Sequence, residues 1–78
     1  MDYKTILDEA TFQRFSEMRK IRKAIAQDEA IPAYAVFTDA ELVEIAKIGD
    51  KRSLAAIRKI KGIGAKKLEK YGAKFVQS

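Results

Sequence analysis

The sequence predicts an all-α protein, a small five-helix bundle, and three observations lead to this fold class. Apolar residues recur at three- and four-residue steps in several segments, which is the spacing of one helix face. No segment alternates apolar and polar residues as a half-buried strand would. Glycine and proline fall between the periodic segments, where they end or begin helices. With 78 residues, the chain is long enough for one domain and too short for a deep cleft between lobes.

The first predicted helix is the longest, with Asp8 or Thr11 as its N-cap and an end near Gln27. One of its faces is an apolar stripe at helical spacing, which we expect to face the core. The stripe consists of Phe12, Phe15, Met18, Ile21 and Ile25. The opposite face is basic, and it is either solvated or a second place where phosphate binds. Its cations are Arg19, Lys20, Arg22 and Lys23.

Pro32 breaks the long helix, and a tight turn or a short helix is expected there. Ile31, Val36 and Phe37 should fold back onto the core. Tyr34 has two interpretations. Its ring is either half buried with a solvated hydroxyl, which is the interpretation favoured here, or exposed as a face on which a nucleic-acid base stacks.

Three further helices are predicted after this break. Thr38 and Glu41 have the spacing of a capping box and begin the third helix. Gly49 ends that helix, and a cap at Asp50 or Ser53 begins the fourth.

The fourth and last helices are predicted to form a hairpin through Gly62 and Gly64. Gly62 suits the left-handed conformation that often ends a helix, and Gly64 suits the entry to the last helix. That helix should run from about Ala65 to Val76. Gly72 falls in its middle, where glycine costs about 1 kcal/mol relative to alanine. Close packing against a neighbouring helix is therefore its expected reason.

The charge of the chain is unevenly distributed. Residues 1–46 carry six cations and nine anions, a net charge of −3, whereas residues 47–78 carry ten cations and two anions, a net charge of +8. Such asymmetry points to a polyanionic partner for the second half, with a solvated basic face as the alternative. Nucleic acid is the partner that we expect.

Four lysines surround the glycine turn: Lys59, Lys61, Lys66 and Lys67. A helix start exposes unpaired N–H groups and partial positive charge, which attract phosphate. We therefore expect phosphates to lie against the amides of residues 62–64, with the lysines neutralising their charge. The alternative is a helical hairpin whose lysines only keep the protein soluble.

The composition argues against catalysis. The chain has no histidine and no cysteine, so the commonest general base and the thiolate metal ligands are missing. Capping and solubility account for the carboxylates of Asp39, Glu41 and Glu44. We therefore expect no catalytic residue, no metal site and no cofactor.

Cysteine usage is consistent with a reducing compartment, and the cytoplasm of a bacterium, in association with the nucleoid, is the expected location. No apolar run approaches the about 20 residues that cross a bilayer, so no membrane contact is expected. Residues 1–7 are expected to be a linker or an appended end, and residues 8–78 the helical domain.

Two segments together resemble one family. Residues 36–42 read V-F-T-D-A-E-L, and residues 62–72 read G-I-G-A-K-K-L-E-K-Y-G. In this order and spacing they are similar to the HRDC domain, the helicase and ribonuclease D C-terminal module, and most similar to those of RecQ-type DNA helicases. The resemblance covers roughly residues 8–77. The turn at Pro32-Ala33-Tyr34 departs from the family's proline-proline-tyrosine pattern at Ala33.

The resemblance implies a five-helix bundle that helps an ATP-dependent DNA helicase engage single-stranded or branched DNA, with the motor in other domains. Tyr34 matches an aromatic position that contacts DNA in such domains. The predicted nucleic-acid surface combines this tyrosine with the residues of the basic half. These are Lys51, Arg52, Lys59, Lys61, Gly62, Gly64, Lys66, Lys67 and Lys70.

Two alternatives stay open. The basic face of a monomeric domain could instead dock onto the helicase core of the same chain or onto an acidic protein partner. The domain could also position RNA in a ribonuclease D-like enzyme, since the choice between RNA and DNA depends on contacts to the 2′-hydroxyl.

Overall fold

The computed structural model describes residues 3–76, and this part of the chain is an all-α bundle with the five predicted helices in the predicted order. A short helix, α1 (Tyr3–Ile6), precedes the long helix α2 (Glu9–Glu29). The chain continues through α3 (Ala33–Val36), α4 (Asp39–Ile48), a 3₁₀ turn (Gly49–Lys51) and α5 (Leu54–Arg58). The last helix is continuous and consists of α6 (Ala65–Lys67), a π-helical segment (Leu68–Gly72) and α7 (Ala73–Val76).

Helix α2 begins and ends with satisfied backbone groups. Of the two predicted N-caps, Asp8 is the one used, because its Oδ1 accepts the N–H of Thr11 at 2.8 Å. At the other end Ala30 adopts a left-handed φ of 56°, and the N–H of Ile31 donates to the carbonyl of Ala26 at 3.0 Å. This pattern of a left-handed residue followed by a bond reaching five residues back closes the helix.

The apolar stripe of α2 faces the core as predicted. Phe15, Met18 and Ile25 are buried, and Phe12 and Ile21 pack against them while partly exposed.

Part of the segment preceding α2 also packs on this core. The ring of Tyr3 meets that of Phe15 edge-on, with the ring centroids 5.0 Å apart. The remainder of the predicted linker, residues 1–2, lies outside the described residues, as does the end of the predicted domain, residues 77–78.

The link around α3 returns to the core as expected. Pro32 is the N-cap of α3, and both Val36 and Phe37 are fully buried. The ring of Phe37 packs edge-on against Phe75 at 5.1 Å and against Tyr71 at 6.3 Å between centroids. This aromatic group joins the middle of the chain to the last helix.

The predicted caps of α4 and α5 are confirmed. The hydroxyl of Thr38 accepts the N–H of Glu41, and the carboxylate of Glu41 accepts the N–H of Thr38, which completes the capping box. Gly49 ends α4 with a φ of 80°. Of the two candidate caps for α5, Ser53 is the one used, because its hydroxyl accepts the N–H of Ala56.

Three arginines tie separate elements together by donating to backbone carbonyls. The bonds are Arg14 Nε to Ala46 O at 2.9 Å, Arg22 Nη1 to Phe37 O at 3.0 Å, and Arg52 Nε to Phe75 O at 2.9 Å. The guanidinium of Arg22 also pairs with Asp39 at 2.8 Å and is only 11% exposed. These groups are therefore part of the scaffold.

Close packing explains Gly72, as the sequence predicts. A Cβ built at this position would lie 2.8 Å from Leu68 Cδ1 and 2.9 Å from Leu54 Cδ2. The glycine therefore lets α5 approach the last helix. The π-helical geometry around it is an addition that the apolar spacing did not predict.

Candidate nucleic-acid interface

The glycine turn between α5 and α6 is built from local backbone hydrogen bonds. The N–H of Ile60 donates to Ile57 O at 3.0 Å, and the N–H of Ile63 donates to Ile60 O at 3.2 Å. Gly62 has a φ of 95°, which places it in the left-handed region as predicted. Gly64 has an ordinary φ of −87° and stands as the N-cap of α6.

A carboxylate lies beside this turn. Glu41 is only 9% exposed, and a Cβ on Gly62 would lie 2.9 Å from its Oε2. The N–H of Ile63 is already bonded to Ile60 O, so this amide of the turn is not free to bind a phosphate. The candidate interface therefore consists of side chains around the turn. Direct phosphate contact by Gly62 and Gly64 stays a prediction.

The lysines after the turn lie along the last helix and meet α3. Lys66, Lys67 and Lys70 line one cleft together with Ala35 of α3 and Tyr71. Lys66 is exposed and Lys67 is partly exposed, and neither forms an ion pair with any residue of the described part of the chain. Glu69 is the one carboxylate among the described residues of this cleft.

Tyr34 precedes Ala35, which lines this cleft. The residue is 69% exposed, so the expectation of a half-buried ring is wrong. The physical reason is the shortness of α3: Val36 and Phe37 fill the core beneath it, and Tyr34 projects outward. An exposed aromatic face beside lysines is the arrangement by which proteins stack and neutralise a single strand.

Lys70 is held by a carboxylate from α2. Its Nζ lies 3.1 Å from Glu29 Oε1, which also accepts the hydroxyl of Tyr71 at 3.0 Å. The hydrogen bond from Lys70 lowers the pKa of Glu29 below its ordinary value, and the same bond raises the pKa of Lys70. Both groups are therefore charged at neutral pH, and Glu29 competes with any phosphate for Lys70. No spacing in the sequence signals this pair, since the two residues are 41 positions apart.

The lysines before the turn face a different cleft. Lys59 and Lys61 line it with Lys47 and Glu44, and the Nζ of Lys47 pairs with Glu44 at 3.3 Å. The structure thus divides the lysines around the turn into two groups. The group after the turn shares its cleft with α3, whereas the cleft of Lys59 and Lys61 is lined by residues of α4 and of the segment before the turn.

The remaining two candidates sit elsewhere. Lys51 is exposed in the 3₁₀ turn. Arg52 donates to the carbonyls of Phe75 and Gly49, at 2.9 and 3.0 Å, and lines a groove with Arg14 on the side of α2. Its guanidinium has a structural role, and its contact with nucleic acid stays a prediction.

Residues 3–76 contain no group of three or more acidic side chains that is placed to hold a metal ion. None of the helices there has the length and apolar character needed to span a membrane.

Comparison with known proteins gives one family. The HRDC domain matches residues 11–78. The ATP-dependent DNA helicase RecQ of Pasteurella multocida is 43% identical over 63 residues, which cover 81% of this chain and 10% of that protein. The ATP-dependent DNA helicase UvrD2 of Mycobacterium tuberculosis is 41% identical over 61 residues, 78% of this chain and 9% of that protein. No solved structure matches the chain significantly.

The chain spans about a tenth of the length of the curated relatives that it matches, and those relatives are helicases of two kinds. The family match, the two sequence segments and the helical bundle agree with one another. The relatives that this chain matches are DNA helicases, and the chain itself belongs to the HRDC domain family.

Proposed function

We propose that this HRDC domain is a non-catalytic accessory domain of a RecQ-type ATP-dependent DNA helicase and binds single-stranded or branched DNA. The observation that carries the proposal is the exposure of Tyr34, whose chain neighbour Ala35 lines the cleft of Lys66, Lys67 and Lys70. The domain acts as a monomer in the bacterial cytoplasm, in association with the nucleoid. The motor that hydrolyses ATP lies outside this chain.

Different side chains contribute different interactions to binding. Lys66 and Lys67 carry charge that no carboxylate within residues 3–76 neutralises through an ion pair, so they attract backbone phosphates. Tyr34 supplies a face for one base, and stacking of this kind is worth about 1–3 kcal/mol. Lys59 and Lys61 lie on the other side of the turn and extend the positive surface.

This arrangement binds weakly and with little sequence preference. Phosphate contacts position a strand without reading its bases, and stacking accepts every base. Neutralisation of about four phosphates gives a slope near −3 for the logarithm of affinity against the logarithm of salt concentration. Such a domain holds DNA near the motor and leaves the choice of sequence open.

The proposal is tested with a labelled single-stranded oligonucleotide and fluorescence anisotropy at several salt concentrations. Replacing Lys66 and Lys67 by glutamine should make the slope shallower by about 1.4, because about 0.7 is lost for each phosphate contact. Tyr34→Ala should weaken binding by about tenfold or more. The control is Arg58→Gln, which removes an exposed charge that forms no ion pair within residues 3–76, from a position that lines neither the cleft of the replaced lysines nor that of Lys59 and Lys61.

Each outcome has a consequence. If the Lys66/Lys67 and Tyr34 variants bind like the wild type, this surface is not the interface. If the wild type does not bind even at low salt, direct DNA binding is wrong, and docking onto the helicase core or an acidic partner becomes the better hypothesis. An RNA oligonucleotide of the same sequence that binds much more tightly would instead favour an RNA-positioning role.

A further inference from the structure

A second basic cleft also borders α3. It is lined by Ala33, the first residue of α3, and by the cationic face of α2, which includes Arg19 and Lys23. The first cleft, with Lys66 and Lys67, is lined by Ala35. The four-residue helix α3 therefore separates two basic clefts.

The geometry of a helix explains why Tyr34 stands between them. Successive residues are rotated by about 100° around a helix axis, so residues 33 and 35 point to nearly opposite sides. Residue 34 then projects from the ridge between the two sides. The exposure of Tyr34 agrees with this position, since the residue is 69% exposed while Ala33 and Ala35 are partly buried.

Not all cations of the second cleft are available. Arg22 is bound to Phe37 O and Asp39, and Lys20 pairs with Glu17 at 3.6 Å. Arg19 and Lys23 form no ion pair with any residue that the structure describes, although the guanidinium of Arg19 lies 5.6 Å from the centroid of the Phe15 ring.

The spacing of Arg19 and Lys23 is unfavourable for the isolated helix. They are four residues apart on one face, and like charges at this spacing destabilise a helix by about 0.2–0.5 kcal/mol. Neither has an acidic residue three or four positions away that would offset the repulsion. An anionic ligand lying across both would remove it.

We infer that a single strand bound at Lys66 and Lys67 crosses the ridge at Tyr34 and continues onto α2, where Arg19 and Lys23 neutralise further phosphates. This inference rests on the proposed function, because it extends the same bound strand. The ring of Tyr34 then stacks on a base in the middle of the bound segment. Since α3 with its side chains is about 10 Å wide, the strand needs several nucleotides to reach both clefts.

The test compares two charge-neutralised variants on a short and a long single-stranded oligonucleotide. The short one is chosen as the minimum length that the wild type binds measurably, and the long one as the length beyond which affinity no longer rises. Arg19→Gln with Lys23→Gln should bind the short oligonucleotide like the wild type and lose most of the gain from length. On the long oligonucleotide its salt slope should be shallower by about 1.4, which corresponds to about 25-fold weaker binding at about 0.1 M salt.

The control is again Arg58→Gln, which removes an exposed charge away from both clefts. If Arg19→Gln with Lys23→Gln matches this control on the long oligonucleotide while Lys66→Gln with Lys67→Gln is impaired, the inference is overturned and the proposed function stands. If neither the wild type nor any variant binds, both are overturned. Helical circular dichroism, unchanged in all variants, shows that each comparison reports binding.

Discussion

Replacing each of the two glycines of the turn by alanine gives sharply different expectations. Gly62 has a φ of 95°, a conformation that an alanine adopts at a cost of about 1–2 kcal/mol. The new Cβ would also lie 2.9 Å from Glu41 Oε2. The carboxylate must then move, which strains the capping box in which Glu41 Oε1 accepts the N–H of Thr38 at 2.8 Å. Partial loss of a cap adds about 0.5–1 kcal/mol.

Gly62→Ala should therefore destabilise the domain by about 1.5–3 kcal/mol. For a domain of 60–100 residues this lowers the melting temperature by about 6–24 °C. A chain of this size has a total stability of about 4–12 kcal/mol, so the loss is a large fraction of the whole. Thermal unfolding followed by circular dichroism measures it directly.

Gly64→Ala is the matched control in the same turn. Gly64 has a φ of −87°, and a Cβ there meets no atom within 4 Å among the described residues. Alanine is a poorer N-cap than glycine, but it also restricts the unfolded chain, so the melting temperature of Gly64→Ala should stay within a few degrees of the wild type. If the melting temperature of Gly64→Ala falls as far as that of Gly62→Ala, neither the positive φ nor the contact with Glu41 explains the glycine at position 62.

Two further variants test other contacts. Ala30→Gly should stabilise the domain by about 0.5–1 kcal/mol in urea unfolding, because Ala30 ends α2 with a φ of 56°, which glycine adopts without strain. No gain would mean that the helix end relaxes in solution. Glu29→Gln should bind single-stranded DNA more tightly than the wild type, because it releases Lys70 for phosphate contact. The same variant should also lose less of its folding stability than the wild type as the pH is lowered. The bond from Lys70 lowers the pKa of Glu29 below its ordinary value of 4.5, so its contribution is complete above that pH and is lost as the pH falls through the lowered pKa. If Glu29→Gln and the wild type lose the same stability on acidification, the contribution assigned to Glu29 is contradicted.

Local signals in the sequence predicted the fold well. The capping box at Thr38, the left-handed glycine at Gly62 and the buried stripe of α2 each depend on residues within a few positions of one another. Interactions of this range are set by helix periodicity and by backbone sterics, which a sequence displays directly. The HRDC resemblance rested on the same local segments, and the family match confirms it.

The arrangement of the site depended on contacts that no local spacing displays. Glu41 lies against Gly62 although 21 positions separate them, and Glu29 holds Lys70 from the end of α2. The exposure of Tyr34 followed from which neighbours fill the core beneath α3. The number of lysines around the turn therefore predicted a positive surface. It could not show that the lysines after the turn share a cleft with α3 while those before the turn line a different cleft.

The two kinds of cation have different roles in this domain, and the difference limits what the surface can recognise. Three arginines use their planar guanidinium groups to donate hydrogen bonds to backbone carbonyls of other helices or segments. They are Arg14, Arg22 and Arg52. The lysines around the turn remain at the surface as flexible point charges. Lysine attracts phosphate without the fixed two-point geometry by which arginine reads a base edge. If this surface is the interface, as proposed, its lysines and one exposed tyrosine suit it to holding any single strand, and selection of a DNA structure would have to come from the shape of the ridge at α3.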